Sequence, residues 1–191
     1  MTYLVFDIET VPVEIKDEVV REYLMDKQIS KEMRCLNPLY AKVICICLKP
    51  EDREMIILSG EDEKILLEEF WNIAENYNMF ITNNGYGYDV PFLIIRSIIN
   101  KIKPMFNINI NKFSMLNSNH FDTMIFFSQN SVFTNPRLDI VAKTCGIEIG
   151  KDRFTGAEVE RLYKEGKWEE IKRHCKEDVE ITEKIYLFVK G

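Results

Sequence analysis

Two carboxylic acids stand close together near the start of the chain, where an apolar run passes into Phe6-Asp7-Ile8-Glu9-Thr10. Side chains two positions apart on a β-strand project from the same face, so Asp7 and Glu9 are expected to point the same way. Neighbouring carboxylates repel each other unless a cation lies between them. Hard divalent cations such as Mg²⁺ are commonly held by one or two carboxylates and by substrate phosphate. The pair predicts a metal site, and the structural alternative is a strand that ends in a solvated acidic turn.

A third acid occurs in the segment Asn84-Gly-Tyr-Gly-Tyr-Asp89, just before Pro91 and an apolar run of helical character. Asp89 is therefore a candidate for the same site, or an ordinary helix N-cap. The two glycines of the segment let the backbone approach another group closely. Its two tyrosines offer ring faces on which nucleic-acid bases can stack.

A fourth acid lies in His174-Cys-Lys-Glu-Asp178, within a C-terminal segment of helical periodicity. At a spacing of four residues, His174 and Asp178 lie one above the other on one helix face. Asp178 stands beside the apolar stripe of that helix, which makes it a better candidate for a site than an acid on a solvated face. An imidazole of ordinary pKa, about 6.5, can accept a proton from water near neutral pH. The alternative for His174 is an exposed position on the helix surface.

These three motifs recur in the same order in one superfamily. The sequence resembles the DEDD 3′–5′ exonucleases of the ribonuclease-H-like fold, in particular the proofreading domain of family B DNA polymerases and its stand-alone relatives. The resemblance extends over nearly the whole chain, because residues 37–46, 120–124, 137–146 and 166–171 are also similar to segments of that family.

The resemblance implies a site that holds two divalent cations, Mg²⁺ or Mn²⁺. Its four carboxylate ligands correspond to Asp7, Glu9, Asp89 and Asp178. In a two-metal site one ion generates the nucleophile and the other stabilises the leaving oxygen. The positions that touch the terminal nucleotide in relatives correspond to Thr10 and Asn84, and Tyr88 is a candidate for stacking on a base.

One position departs from the family pattern. Polymerase-like members carry a Tyr four residues before the last acid, where this chain has His174. A sister branch uses a His as general base, but five residues before its acid. His174 therefore combines the residue type of one branch with the spacing of the other, and is a candidate catalytic residue that orients or deprotonates the attacking water.

The periodicity of the chain predicts the elements that position these residues. Strands are predicted over residues 2–6, 41–48, 55–58 and 79–82, and helices over 13–33, 61–77, 91–99, 136–145, 155–164 and 168–189. Residues 100–120 are predicted to form a loop with one short strand at 106–110. This order indicates an α/β fold, a mixed β-sheet flanked by helices in one domain over residues 1–191, ribonuclease-H-like by the resemblance.

Composition narrows the class of protein. The 191 residues include 25 Lys and Arg against 31 Asp and Glu, a formal net charge of -6. A chain this acidic is a poor candidate for wrapping duplex DNA, which requires a basic face. The five cysteines have no zinc-ligand spacing and indicate buried reduced thiols in a cytoplasmic protein. Neither a signal peptide nor a membrane span is expected.

Taken together, the sequence predicts a metal-dependent 3′–5′ exonuclease that releases nucleoside 5′-monophosphates from single-stranded 3′ ends. DNA is favoured over RNA as the substrate. Two alternatives keep the same fold. One is a nucleic-acid-binding domain without robust turnover, and the other is a structure-selective endonuclease.

Overall fold

A mixed five-stranded sheet lies at the centre of the protein, in the strand order β3-β2-β1-β4-β5. The computed structural model describes residues 2–27, 29, 34–105, 107–111, 118–150 and 158–191. The strands are β1 (Tyr3–Pro12), β2 (Ala41–Pro50), β3 (Ile56–Ser59), β4 (Met79–Thr82) and β5 (His120–Asp122). Strands β1 to β3 are antiparallel neighbours, whereas β4 runs parallel to β1 and β5 parallel to β4.

Helices cover both faces of this sheet. They are α1 (Glu18–Asp26), α2 (Glu63–Ala74), α3 (Asp89–Ile99), α4 (Thr123–Ser128), α5 (Leu138–Thr144), α6 (Val159–Lys164) and α7 (Trp168–Lys190). Helices α2 and α3 pack on one face, around Phe6, Phe70 and Phe80. Helices α6 and α7 pack on the other face, around Val5 and Val179.

The side-chain alternation of β1 explains where its two acids lie. Leu4, Phe6 and Ile8 point into the core under α2 and α3. The intervening positions therefore point to the opposite face, which α7 covers. Asp7 and Glu9 thus interrupt an otherwise apolar surface under the long C-terminal helix.

A β-bulge lies next to the acids. Asp7 pairs with Cys47 and Glu9 with Cys45, but Thr10 pairs with Val43, so Ile44 is an extra residue on β2. Bulges increase the local twist and re-aim side chains, and they are common beside functional sites.

A buried ion pair holds the helices of the first face to the sheet. Arg96 Nη2 donates to Glu63 Oε2 at 2.6 Å, and Glu63 Oε1 accepts from the backbone N–H of Val43 at 2.7 Å. Arg96 Nη1 also donates to the carbonyl oxygen of Pro38 at 2.9 Å. Because the charges and their hydrogen-bonding groups are satisfied together, this network fixes the segment that enters β2.

The predicted α/β class and the predicted strands β2, β3 and β4 are confirmed. The predicted first strand was too short, since β1 continues through both acids to Pro12. Strand β5 and helix α4 were not predicted, and the strand predicted at 106–110 is wrong for its described residues, 107–110. Helix α1 is shorter than predicted, and residues 151–157, which hold the predicted start of α6, lie outside the described ranges. Among the described helices, none is both long and apolar enough to cross a membrane.

Candidate active site

A cavity of about 200 Å³ opens where β1 meets α7. We call it the acid cavity. The residues that line it are Asp7, Ile8, Glu9, Thr10, Cys35, Leu36, Tyr88, His174 and Asp178. Residues from four separate parts of the sequence therefore meet here. Of the eight site residues predicted from sequence, six line the cavity, Asp89 is hydrogen-bonded to Ile8 of its wall, and Asn84 is not among the lining residues.

The acids of this site are buried close to one another. Glu9 is 7% exposed and Asp89 is 2% exposed. Burial and the carboxylates of Asp89 and Glu9 raise the pKa of Asp7 well above its usual range. Burial, the Cys45 thiol and the Asp89 carboxylate likewise raise the pKa of Glu9. Without a cation, these groups resist holding negative charge together.

Asp89 is attached to the strand that carries the other two acids. It is the first residue of α3, and its Oδ1 accepts the backbone N–H of Ile8 at 3.2 Å. The N-cap position belongs to Tyr88 and has no side-chain capping bond, so the N-cap alternative for Asp89 is wrong. Burial raises the pKa of Asp89 to about 7, although hydrogen bonds from backbone N–H groups oppose that shift.

His174 is buried within the site rather than exposed on the helix surface. Its side chain lines the acid cavity and is 5% exposed as a residue. The Nε2 atom lies 3.6 Å from Glu9 Oε1 and 3.9 Å from Asp178 Oδ2. The spacing of four residues therefore places the imidazole beside one acid from the sheet and one from its own helix.

Two hydroxyl groups close one side of the cavity. Thr10 Oγ1 donates to the carbonyl oxygen of Cys35 at 2.9 Å and lies 2.7 Å from the hydroxyl of Tyr88. The ring of Tyr88 packs against Phe92, with centroids 5.3 Å apart. These bonds fix the orientation of both hydroxyls at the cavity wall.

The loop before α3 is held by Asp122, an acid outside the eight predicted site residues. Asp122 does cap α4, by accepting the backbone N–H of Ile125 at 3.1 Å. Its carboxylate also accepts the backbone N–H groups of Asn84 at 2.9 Å and of Tyr86 at 3.0 Å. Asp122 is 3% exposed, and it ties β5 to the loop that presents Asp89. The sequence around Asp122 is compatible both with a helix cap and with support of the site, and tertiary packing gives it both roles.

Asn84 faces a neighbouring cavity of about 440 Å³, which Tyr86 and Gly87 also line. Its backbone is in the left-handed region, with φ of 66°. Tyr86 lies with its ring 4.3 Å from that of His120, so it serves the packing of the loop. The loop thus separates Asn84 from the acid cavity, and a contact of Asn84 with the terminal nucleotide stays a prediction.

The donor set of the acid cavity fits hard divalent cations. Oxygen atoms of Asp7 and Glu9 and the Sγ atom of Cys175 lie within 4.8 Å of one another. Asp178 also lines the cavity and Asp89 is hydrogen-bonded to the backbone of Ile8, so several carboxylates lie around a small volume. Divalent cations would offset the repulsion that raises the pKa values of these acids.

Comparison with known proteins agrees with this geometry. Residues 36–190 match a family described as predicted 3′–5′ exonuclease related to the exonuclease domain of PolB. The chain belongs to that family. The matched residues begin after Asp7 and Glu9. In the structure these two acids line the same cavity as Asp178, which lies within the matched residues.

Two individual proteins are also similar to this chain. An uncharacterized protein of Methanocaldococcus jannaschii is 28% identical over 170 residues, covering 83% of this chain and 91% of that protein. The family B DNA polymerase of the hyperthermophilic archaeon Pyrobaculum calidifontis superposes with a TM-score of 0.67 at 18% identity. That superposition covers 95% of this chain but 23% of the polymerase, and it shows a shared fold.

Proposed function

We propose that this protein is a 3′–5′ exonuclease that removes nucleoside 5′-monophosphates from the 3′ end of single-stranded nucleic acid. The observation that carries the proposal is the arrangement of four acids around one small cavity. Asp7, Glu9 and Asp178 line it, and Asp89 is bonded to the backbone between the first two. Membership of the PolB-exonuclease-related family supports the same activity.

The residues that would hold two divalent cations, Mg²⁺ or Mn²⁺, are Asp7, Glu9, Asp89 and Asp178. When bound, such ions supply an activated nucleophile and neutralise charge on the leaving oxygen. Support comes from the raised pKa values of Asp7, Glu9 and Asp89, since cations would relieve the burial and repulsion that cause them. The protein contributes a rigid arrangement, because Asp89 is fixed to β1 by the Ile8 N–H.

His174 would act on the attacking water. Its Nε2 faces the cavity between Glu9 and Asp178, so it can accept a proton from a water molecule held by either carboxylate. The two carboxylates would also stabilise the imidazolium that this transfer produces. We therefore assign His174 the general-base or water-orienting role.

The shape of the site favours a single strand. A cavity of about 200 Å³ has room for part of a terminal nucleotide and none for a base pair. Thr10 and Tyr88 form its fixed polar wall, and Leu36, which is 66% exposed, presents an apolar surface at its edge. We propose that this edge contacts the terminal base or sugar. DNA is the favoured substrate, by similarity to a domain of a DNA polymerase.

A labelled-strand assay tests the proposed function. Single-stranded DNA and RNA oligomers labelled at the 5′ end are incubated with the protein and Mn²⁺, beside a circular single strand. The proposal predicts a ladder that shortens from the 3′ end and an intact circle. Cleavage of the circle would instead indicate an endonuclease. Absence of any ladder, with metal-dependent stabilisation retained, would indicate a binding domain.

A further inference from the structure

Three of the five cysteines form a cluster directly beneath the acid cavity. Cys45 and Cys47 come from β2 and Cys175 from α7, and none of the three is exposed. Their Sγ atoms all lie within 4.8 Å of one another. We call this cluster the thiol triad. None of its three residues is among the four acids of the proposed exonuclease site, although Cys175 Sγ borders Asp7 and Glu9.

The strand register explains why the triad forms. Cys47 pairs with Asp7 and Cys45 with Glu9 across antiparallel strands. Directly opposed residues of antiparallel strands project from the same face, so the two thiols share the face of the two acids. Helix α7 crosses that face and adds Cys175 next to His174. The sequence spacing of the three cysteines has no zinc-ligand pattern, and only the packing of α7 brings them together.

The sulfur atoms lie close enough together to reach the spacing of a zinc-type site. A Zn–S bond of about 2.3 Å places the sulfurs of a tetrahedral site about 3.8 Å apart. Atoms within 4.8 Å of one another reach that separation by small side-chain movements. An oxygen of Asp7 or Glu9 is near enough to Cys175 Sγ to occupy the fourth position.

We propose that the thiol triad binds a thiophilic d¹⁰ ion, Zn²⁺ or its analogue Cd²⁺, through the sulfurs of Cys45, Cys47 and Cys175. Thiolate sulfur selects such ions, whereas the carboxylates of the acid cavity suit Mg²⁺ and Mn²⁺. Binding replaces the thiol hydrogen bonds that Cys175 donates to the Asp7 carbonyl and Cys47 to the Lys172 carbonyl. Each coordinating thiol releases its proton to solvent.

The bound ion would join the sheet to the helix that carries His174 and Asp178. Two of its sulfurs belong to β2 and the third belongs to α7. Because the site does not exist in the unfolded chain, ion binding adds to the stability of the fold. The acid cavity gives the ion a route inward, since Asp7 and Glu9 line that cavity and lie beside Cys175.

Cadmium absorption tests the proposal without reference to nuclease activity. The background variant carries Cys35→Ala and Cys145→Ala, which leaves only the three triad thiols. Reduced, metal-free protein is titrated with Cd²⁺, and a parallel sample is refolded with Cd²⁺ present. We expect sulfur-to-cadmium charge-transfer absorption that saturates at one ion per chain, together with a higher melting temperature.

Adding Cys47→Ala to the background variant should remove the tight, saturable absorption, and circular dichroism without metal verifies that this protein folds. If it does not fold, the background variant alone decides the question. A folded background variant with no charge-transfer absorption in either sample, at excess Cd²⁺, would overturn the thiol-triad site. That result would leave the exonuclease proposal unaffected, because carboxylate-bound cadmium gives no such absorption.

Discussion

The carboxylate of Asp89 accepts a hydrogen bond of 3.2 Å from the backbone N–H of Ile8, the residue between Asp7 and Glu9. An acid at the start of α3 is thereby fixed to the strand that carries two others. Burial and the Asp122 carboxylate raise the pKa of Asp89, and the hydrogen bond from Ile8 opposes that shift. The hydrogen bond therefore fixes the position of Asp89 before any cation binds. Burying several carboxylates together destabilises the fold, and cations would remove that destabilisation.

The first prediction concerns pH. The pKa of Asp89 is raised from 3.8 to about 7, so the folded protein prefers the protonated carboxyl. The stabilisation that comes from holding this proton is fully present below the pKa of Asp89 in the unfolded chain. It is lost as pH rises through the pKa of the folded protein, about 7. Without metal, the free energy of unfolding should fall between pH 5 and pH 8, by on the order of 1–4 kcal/mol. Urea unfolding in the presence of EDTA, which removes metal ions, measures this free energy at each pH.

The matched variant for that experiment is Asp89→Asn, which keeps an oxygen for the Ile8 N–H and removes the charge. Its unfolding free energy without metal should exceed that of wild type at pH 8 and should change less with pH. An equally steep pH dependence in both proteins would show that Asp89 is not the titrating group.

The second prediction concerns metal binding. Mg²⁺ or Mn²⁺ should raise the melting temperature, because ions that bind only the folded state stabilise it. The rise should be larger at pH 8 than at pH 5, since protons compete for the buried carboxylates at the lower pH. Asp178→Asn should reduce the rise. A wild-type melting temperature that does not change at saturating ion would exclude the site.

The third prediction tests whether His174 acts on the attacking water, by measuring turnover and metal binding separately. His174→Ala should lower the rate about 10²- to 10⁴-fold, the range for loss of a general base, and keep the metal-dependent thermal shift. His174→Tyr restores the residue of the polymerase-like pattern and should keep more activity than the Ala variant. An unchanged rate in His174→Ala across the pH range would remove this residue from the mechanism.

The fourth prediction concerns the loop that presents Asp89. A Cβ at Gly85 would stand 2.1 Å from Thr82 Oγ1, whose hydroxyl accepts the Gly85 N–H at 3.1 Å. Gly85→Ala should therefore destabilise the fold by about 1–3 kcal/mol, the usual range for overpacking, and lower activity. Gly60→Ala is the control, because no atom lies within 4 Å of its Cβ. Equal stability of the two variants would contradict this account.

Local sequence pattern predicted the parts of the fold with clear periodicity. Strand β4 was predicted with its observed bounds, since three apolar residues and a β-branched threonine lie between polar segments. Strand β5 was missed because three residues, His-Phe-Asp, are too few to establish a periodicity, and they form a strand only through pairing with β4. The end of β1 was misplaced for a related reason. Charged residues normally mark a strand end, but here α7 covers them.

The candidate site was predicted unevenly. The spacing of two residues predicted that Asp7 and Glu9 share a face if they lie on a strand, and the observed length of β1 supplies that strand. The burial of His174 could not be read from its helix, because it depends on how α7 crosses the sheet. The second role of Asp122 and the meeting of Cys175 with the strand cysteines depend on tertiary packing in the same way.

The most direct test of the central claim identifies the reaction product of wild type and Asp7→Asn. Each protein is shown to be folded and is incubated with single-stranded DNA and Mn²⁺, and the released material is analysed by mass spectrometry. We predict nucleoside 5′-monophosphates that accumulate from the 3′ end with wild type and are lost with Asp7→Asn. Equal release by both proteins, or products that carry a 3′-phosphate, would contradict a metal-dependent 3′–5′ exonuclease.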